Sequence, residues 1–537
     1  MAGFKIGAFS GISPKTPPRL LQDTQAQTAD NCDVFRGSLR PMKGTGTAVT
    51  TIPAGQQTIY KFGQDSTDAT AGWMYWSADV NVCRSQINGD TEEWTFYTGD
   101  GVPKAFRAGI TNSPHPLAIP APTTAVTLTL GTPPADYENL AQETRVYTYT
   151  YVYIDGQREF ESAPAPASFS VDVYPGQTVQ VTFSGSYSLF SGAGTWVKRL
   201  YRSTVGTYLL TAVDTYGVNI PILTSPVNDN TDPEDLVDEL PSLTWLTPPD
   251  NLAGLTNMPN GVMAGFVGRD VYFCEPYIPH AWPDEYRQTL DYPVVGLGSI
   301  DTTLVVLTKG TPYIMQGSHP DSMVVIKSEI EQACVSKRSI VSMNNSVLYA
   351  SPDGLISVSP GGSTILTLNV FTRDQWQDLD PSSIKAFTHD NKYIAFYDNG
   401  VDSGSFVFDF GVGQFSMNDT TADAGFNWLQ GDTLYILNGT SIVPWNEGSD
   451  LTYTWKSKVF TLPRIMGMSC MQVEAEGYPV TAKVYAAGSL IHTQTVSNRD
   501  PFRLPAVMAK DWEVEVTGTQ EIFNVAIAQS MEELANA

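Results

Sequence analysis

DVYFC at Asp270–Cys274, TLVVLT at Thr303–Thr308, SVLYA at Ser346–Ala350, KYIAF at Lys392–Phe396 and DTLYIL at Asp432–Leu437 repeat one pattern between Asn260 and Gly448. Each is a core of two to five apolar residues that leads through a tight polar turn to a second strand. Their centres lie about 33 to 46 residues apart, close to the period of about 40–50 residues of four-stranded propeller blades. A unit of this kind has an apolar face that it cannot bury alone, so neighbours stack around an axis. The pattern therefore predicts a β-propeller, with a stacked β-sandwich as the alternative. Neither a WD nor a kelch signature marks the repeats.

Outward from these repeats the chain stays β-rich. IYKF at Ile59–Phe62, WMYW at Trp73–Trp76, NVCR at Asn81–Arg84 and WTFY at Trp94–Tyr97 are separated by turn signals that include Asn88-Gly89 and Asp100-Gly101. They read as one blade over 59–119, which makes six with the five later units. A Pro-rich linker, Ser113–Pro122, precedes strictly alternating RVYTYTYVYI at Arg145–Ile154, which Asp155-Gly156 turns. TVQVTF at Thr178–Phe183, WVKRLYR at Trp196–Arg202 and TYLLTAV at Thr207–Val213 follow at sandwich spacing. Their order is similar to fibronectin type III modules, so 120–225 is expected to be an Ig/fibronectin III-like insertion that folds alone. An acidic linker occupies 226–259, the remaining blades 260–450, and a C-terminal β-sandwich and tail 451–537.

Residues 1–58 are rich in Pro, Thr and Gly and carry Lys5, Lys15, Arg19, Arg36, Arg40 and Lys43. They read as an extended N-terminal arm with one helical turn at Asp23–Asn31, packed on the chain or on a neighbour. The propeller is expected to stay folded without residues 1–45. A second short helix is expected from Met531.

At 537 residues the chain exceeds one ordinary core, and at 42% hydrophobic it is no disordered polymer. Asp and Glu number 56 against 31 Lys and Arg, a net charge of −25. Such a chain lacks the cationic surplus to hold DNA by neutralising phosphates. Cys32, Cys83, Cys274, Cys334 and Cys470 are odd in number and form no CxxC pair, which fits buried reduced thiols. No signal-peptide core opens the chain, and no run of about 18 apolar residues could span a bilayer. Synthesis in a cytoplasm and no membrane span are expected.

Phosphate loops, dinucleotide fingerprints, nucleophile elbows and HExxH are all missing from the sequence. Cys274, His280 and Asp284 can be drawn as a metal set, but their spacing matches no zinc pattern and two prolines fix the loop. Packing is the better account of them. Repeated sialidase boxes are also missing, while paired acids for glycosidic cleavage stay open among so many carboxylates. The chain is expected to be no enzyme and to hold neither cofactor nor metal.

Two stretches carry a family likeness. One runs from SGISP at Ser10–Pro14 through QAQTADN at Gln25–Asn31 to GSLRPMKG at Gly37–Gly44. The other joins MPNG at Met258–Gly261, YFCEPYIPHAWPDEY at Tyr272–Tyr286, PVVG at Pro293–Gly296 and LTKGTPY at Leu307–Tyr313. WKSK at Trp455–Lys458, FRLP at Phe502–Pro505, VTG at Val516–Gly518 and Glu533-Leu534 add to it. Together they resemble tail proteins of double-stranded DNA bacteriophages, particularly the nozzle or hub (tail tube) proteins of short-tailed phages. The resemblance implies a virion structural protein, made in the bacterial host and placed in the viral tail. It implies a homo-hexameric ring below the portal and its adaptor ring, with other tail proteins and tail fibres as neighbours. Through that ring the genome is ejected without tight binding.

The fold class expected is thus all-β, a six-bladed β-propeller with an inserted Ig-like sandwich and a C-terminal β-sandwich. The rival reading is a receptor-binding or glycan-degrading tail protein. Six copies at −25 carry 6 × −25 = −150 formal charges, which suits an acidic lumen. Candidates to line it are Asp90, Glu92 and Glu93, and, in the compact acidic run Asp229–Glu239, Asp229, Asp232, Glu234, Asp235, Asp238 and Glu239.

Overall fold

All five repeat segments are strands. Asp270–Phe273, Ser346–Ser351, Lys392–Asp398 and Thr433–Asn438 each lie inside a four-stranded antiparallel meander, and Thr303–Thr308 is buried at every residue. The turns that feed two of them explain their register. Asn344-Asn345 and Asp390-Asn391 connect the pairs Met343↔Ser346 and His389↔Lys392, all four at positive φ between 48° and 58°. Asn and Asp tolerate that region, and its twist matches that of the strands.

The computed structural model describes residues 3–62, 67–87, 89–107, 114–184, 190, 194–204, 209–213 and 218–535. It is nearly all β, with 47% strand and 5% helix. Asn88, Ser113, Thr207 and Tyr208 of the predicted turn, linker and strand lie outside the described residues. Among the described residues no helix is long and apolar enough to cross a membrane. All five cysteines are free and buried. The chain divides into two compact units, one of Met1–Ala78, Gly298–Ile314 and Val325–Ala537, the other of Asp79–Leu297 and Met315–Val324.

In the first unit the N-terminal segment is woven through sheets formed hundreds of residues later. Ala26–Asp30 pairs antiparallel with Tyr453–Ser457 and, through Asp30↔Met417, parallel with Gln414–Asn418. It thereby joins the meander of residues 385–418 to the C-terminal strands in one ten-stranded sheet. Gly3–Ile6 extends a second sheet beside Ile522–Ala528, and Thr50–Thr51 adds the fourth strand to the meander of residues 424–444. Phe9 meets Trp455 edge-on at 4.9 Å in a core that also buries Trp376, Phe406, Trp512 and Val514.

Two expectations are corrected here. Asp23–Asn31 holds no helical turn, because the backbone of Ala26–Asp30 is taken by strands on both sides. Residues 1–45 are also no extended arm: Gly3–Ile6 and Ala26–Asp30 are members of sheets, and their removal would leave the neighbouring strands unpaired on that side. The short helix at the end does form, at Met531–Ala535.

The second unit holds two four-stranded sheets, one of Asn81–Arg84, Thr95–Thr98, Lys104–Phe106 and His115–Pro116, the other spanning residues 253–289. The Leu255 N–H reaches the Thr98 hydroxyl at 3.2 Å, and the Asn257 amide reaches the Arg84 carbonyl at 2.7 Å. Residues 59–119, read as one blade, are two separate sheets: Thr58–Lys61 pairs Trp73–Trp76 in the first unit, where Trp73 meets Tyr435 at 5.2 Å.

Between the two sheets in sequence, a five-stranded sheet centred on Tyr147–Asp155 and Thr195–Ser203 shares a core with the three-stranded sheet Thr127–Leu130, Val179–Thr182 and Val227–Asp229. This module runs past the expected boundary at 225. Asp229 is fully buried and accepts from Arg202 at 2.7 Å, from the Tyr147 hydroxyl at 2.7 Å and from the Thr231 N–H at 3.0 Å. A fragment that stops at Ser225 leaves the buried Arg202 without its counter-charge.

Gly11 tests the woven N-terminus. Its N-terminal run lies so close to Phe415 that a Cβ at Gly11 would stand 2.1 Å from that residue's carbonyl oxygen, whereas a Cβ at Gly7 meets nothing within 4 Å. Gly11→Ala is expected to destabilise the first unit by about 1–3 kcal/mol in denaturant unfolding, the usual cost of overpacking. Gly7→Ala should stay within about 0.5 kcal/mol of the parent.

Candidate functional site

Hairpin geometry in the second unit sets up a cleft of about 530 Å³. Tyr147–Asp155 and Arg158–Glu161 are joined by a two-residue turn, Gly156-Gln157, with Gly156 at φ +63°. A first turn residue in that region suits glycine, and space demands it too: a Cβ there would lie 2.0 Å from a Glu92 oxygen. The turn is held by Glu92, which accepts the Gln157 N–H at 3.1 Å, the Trp94 indole N–H at 3.0 Å and Arg107 at 2.8 Å. Arg107 also reaches Asp155 at 2.5 Å. Asp90 fixes the start of this loop by accepting the N–H groups of Glu92 and Trp94 at 3.1 and 3.2 Å.

The hairpin places Arg158, Glu159 and Glu161 along one wall. Arg158 lies over Trp94 and Phe96, 5.8 and 5.4 Å from their ring centres, and donates to the Ser85 hydroxyl at 3.0 Å. Glu161 is buried and accepts from Thr150 at 2.8 Å, Tyr201 at 2.8 Å and Arg199 at 2.9 Å; Arg199 also holds Glu159 at 2.5 Å. Trp245 and the loop Tyr277–His280 complete the lining. His280 accepts the Glu161 N–H on Nε2 at 3.2 Å and meets Trp245 edge-on at 5.5 Å. A smaller concavity of about 190 Å³ in the first unit is lined by Lys385, which already pairs with Asp423 at 3.6 Å.

Burial sets the protonation states. It drives the His280 pKa down to about 3, helped by the positive charge of Arg158, so the ring is neutral. Burial also lowers Arg158, against the attraction of Asp90 and Glu92. Burial opposes the charge of Glu92, but its bonds from Gln157, Trp94 and Arg107 outweigh that and hold its carboxyl below the usual range.

The structure divides the nine acids singled out in the sequence. Asp90 and Glu92 line the cleft, and Glu93 lies 3.4 Å from Arg84. Asp229 is buried, so its charge faces Arg202 rather than solvent. Asp232, Glu234, Asp235, Asp238 and Glu239 are exposed. Cys274 and His280 do not converge on a common point: the Cys274 sulfur takes the Met263 N–H at 3.0 Å while the His280 ring takes that of Glu161. No group of three or more metal-ligating side chains occurs among the described residues. Sequence reasoning passed over Arg158, Glu159, Arg199 and Trp245. The one local signal was the charged pair Arg158-Glu159 directly after a hairpin turn.

No family model matches this chain, and no curated protein does. Solved structures give likenesses at low identity. An exo-β-1,3-galactanase from Phanerochaete chrysosporium is 9% identical, covering 53% of this chain and 98% of that one, with a TM-score of 0.21. A protein from Lactobacillus plantarum is 8% identical over 64% of this chain and 96% of its own, with a TM-score of 0.23. PorZ, a surface component of the type-IX secretion system of Porphyromonas gingivalis, is 10% identical over 89% of this chain and 82% of its own, at 0.25. These likenesses assign neither a fold family nor an activity.

The neutral His280 makes a pH prediction. Its folded pKa of about 3 lies below its ordinary 6.5. Between those values the unfolded chain binds a proton that the folded chain refuses, so the contribution to stability is present above 6.5 and lost as pH falls towards 3. The slope is at most about 1.4 kcal/mol per pH unit. His280→Gln keeps an acceptor for Glu161 and removes the titration. Unfolding of the two proteins at about pH 7 and about pH 4 should show the smaller loss in the variant. Equal losses would show that His280 does not carry this proton. Arg158, Arg199, Asp90, Glu92, Glu159 and Glu161 share the cleft and are common to both proteins.

Proposed function

We propose that this chain is a structural subunit of a short-tailed bacteriophage tail, a nozzle or hub protein that assembles with copies of itself into a hexameric ring. The ring sits below the portal and its adaptor and guides the genome outward. The six-bladed propeller belongs to this reading. Its support is the recurrence of four-stranded meanders at residues 253–289, 341–365, 385–418 and 424–444, the last completed by Thr50–Thr51 from the N-terminal segment. An edge filled from the other end of the chain is what ring closure requires. The Ig-like insertion of this reading is the two-sheet module that ends at Asp229.

The observation that carries self-assembly is the strand Val324–Lys327. Val324, Val325 and Ile326 are 59, 37 and 46% exposed, so every residue of the strand is open to solvent. An outer strand of this composition is a template for another chain. In a ring each subunit presents one surface to the next, and contacts repeat until the rotation closes. The acidic balance of 56 to 31 suits a wall that DNA passes without being gripped.

Electron microscopy of the purified full chain should reveal closed six-fold rings. The double variant Val324→Glu, Ile326→Glu should yield subunits with the parent's unfolding midpoint that no longer close. A monomeric parent at high concentration, or rings indifferent to the two charges, would contradict the proposal.

A further inference from the structure

Around the cleft of the second unit, several hydrogen-bonding groups have no partner among the described residues. His280 is 6% exposed, and its Nδ1 has no partner among the described residues. Because Nε2 accepts the Glu161 N–H, the single proton of the neutral ring sits on Nδ1, which makes it a buried donor without an acceptor. Leaving such a group unpaired costs about 1–3 kcal/mol. Arg158 offers more donors. One of its N–H groups is given to Ser85, and among the described residues no carboxylate forms an ion pair with it.

A smaller recess of about 20 Å³ adjoins the cleft and shares Ile87, Arg158, Tyr277 and Pro279 with it. Gln86 and Asn257 line that recess; among the described residues both amide atoms of Gln86 and the Asn257 oxygen lack partners. The recess has room for about one water. The cleft itself, at about 530 Å³, lies in the range of about 300–1,000 Å³ typical of small-molecule sites.

The occupant follows from what the walls offer. Four carboxylates, Asp90, Glu92, Glu159 and Glu161, face two guanidiniums, Arg158 and Arg199, an excess of two negative charges. That excess opposes an anion. The remaining N–H groups of Arg158 oppose a cation, and an apolar molecule would leave them unsatisfied. A ligand whose groups both donate and accept meets these demands: its hydroxyls donate to the partly exposed Glu159 and accept from Arg158. Two aromatic side chains supply the remaining surface. Trp245 is half-buried, and Tyr277 is 55% exposed, held at φ +62° over Gly261. A bulky residue in that backbone region is strained, and such strain gathers at ligand sites. The C–H face of a sugar ring stacks on rings presented in this way.

We infer that the cleft between the Gly156 hairpin and the Tyr277–His280 loop binds a neutral pyranose. Arg158 donates to its oxygens, Glu159 accepts from its hydroxyls, and Trp245 and Tyr277 hold its apolar face. The inference stands apart from the tail reading: a monomer that binds sugar keeps it, and a ring that does not loses it.

The test uses the full chain and saturation-transfer NMR with the methyl glycosides of glucose, galactose, mannose and N-acetylglucosamine, and with maltotriose. Methyl glucuronide and glucosamine serve as the charged comparators. At least one neutral glycoside should receive transfer and perturb indole fluorescence. Tyr277→Ala and Trp245→Ala should each weaken it by about tenfold or more. Tyr277→Ala removes an exposed ring, so its unfolding midpoint should match the parent's. Transfer to none of the neutral sugars, transfer only to a charged one, or binding indifferent to both substitutions would each overturn the inference.

Discussion

Five residues near the N-terminus, Ala26–Asp30, hold two distant parts of the chain in one sheet. Their backbone serves Tyr453–Ser457 on one side and meets Gln414–Asn418 on the other. Every N–H and C=O in such a position needs a partner once it is buried. Asn31 closes the junction from the left-handed region at φ 57°: its amide donates to Asp419 at 2.7 Å, and its oxygen accepts the Asp419 N–H at 3.1 Å. The Trp455 indole completes the seam by donating to the Ser10 carbonyl at 3.1 Å. Without this segment the core that buries Trp376, Trp455 and Trp512 opens along two strand edges at once.

The second unit depends on charge in the same way that the first depends on backbone. Arg202 and Asp229 are both buried, with the Tyr147 hydroxyl and Arg145 around the same carboxylate. Removing one partner of a buried pair costs about 3–5 kcal/mol, because the other is left as an uncompensated charge. Asp229 therefore fixes where the inserted module ends. It also fixes which face of Thr195–Ser203 carries Arg199 towards the cleft, since Arg199 and Arg202 lie on opposite faces of that strand. Stability and site share one strand.

Much of this was legible in the sequence. Alternation in Tyr147–Asp155 and the five repeat cores marked strands, since burial on a pleated sheet has a period of two. Turn chemistry at Asp155-Gly156 marked the hairpin that later proved to carry Arg158 and Glu159. The arm was harder. Ala26–Asp30 has little apolar content, and its partners lie about 390 and 430 residues away, so no local pattern announces the pairing. The acidic run Asp229–Glu239 misled for a related reason: sequence gives the charge of Asp229 and hides the two arginines that enclose it. The cleft was least legible, because its walls come from separate segments around residues 90, 158, 199, 245 and 280. His280 read as loop packing, and only the fold brings its loop to the same cleft as the hairpin.

The account stands on the N-terminal strand as an internal member of the first unit's fold, and amide hydrogen exchange measures that directly. The full chain should show the amides of Thr28, Ala29 and Asp30 exchanging as slowly as those of Trp455 and of Lys392–Asp398, because all would then open only with the whole unit. Exchange of Thr28–Asp30 at the rate of the exposed loop around Leu20 would contradict it, and would make the segment an appendage on a unit that holds itself together without it.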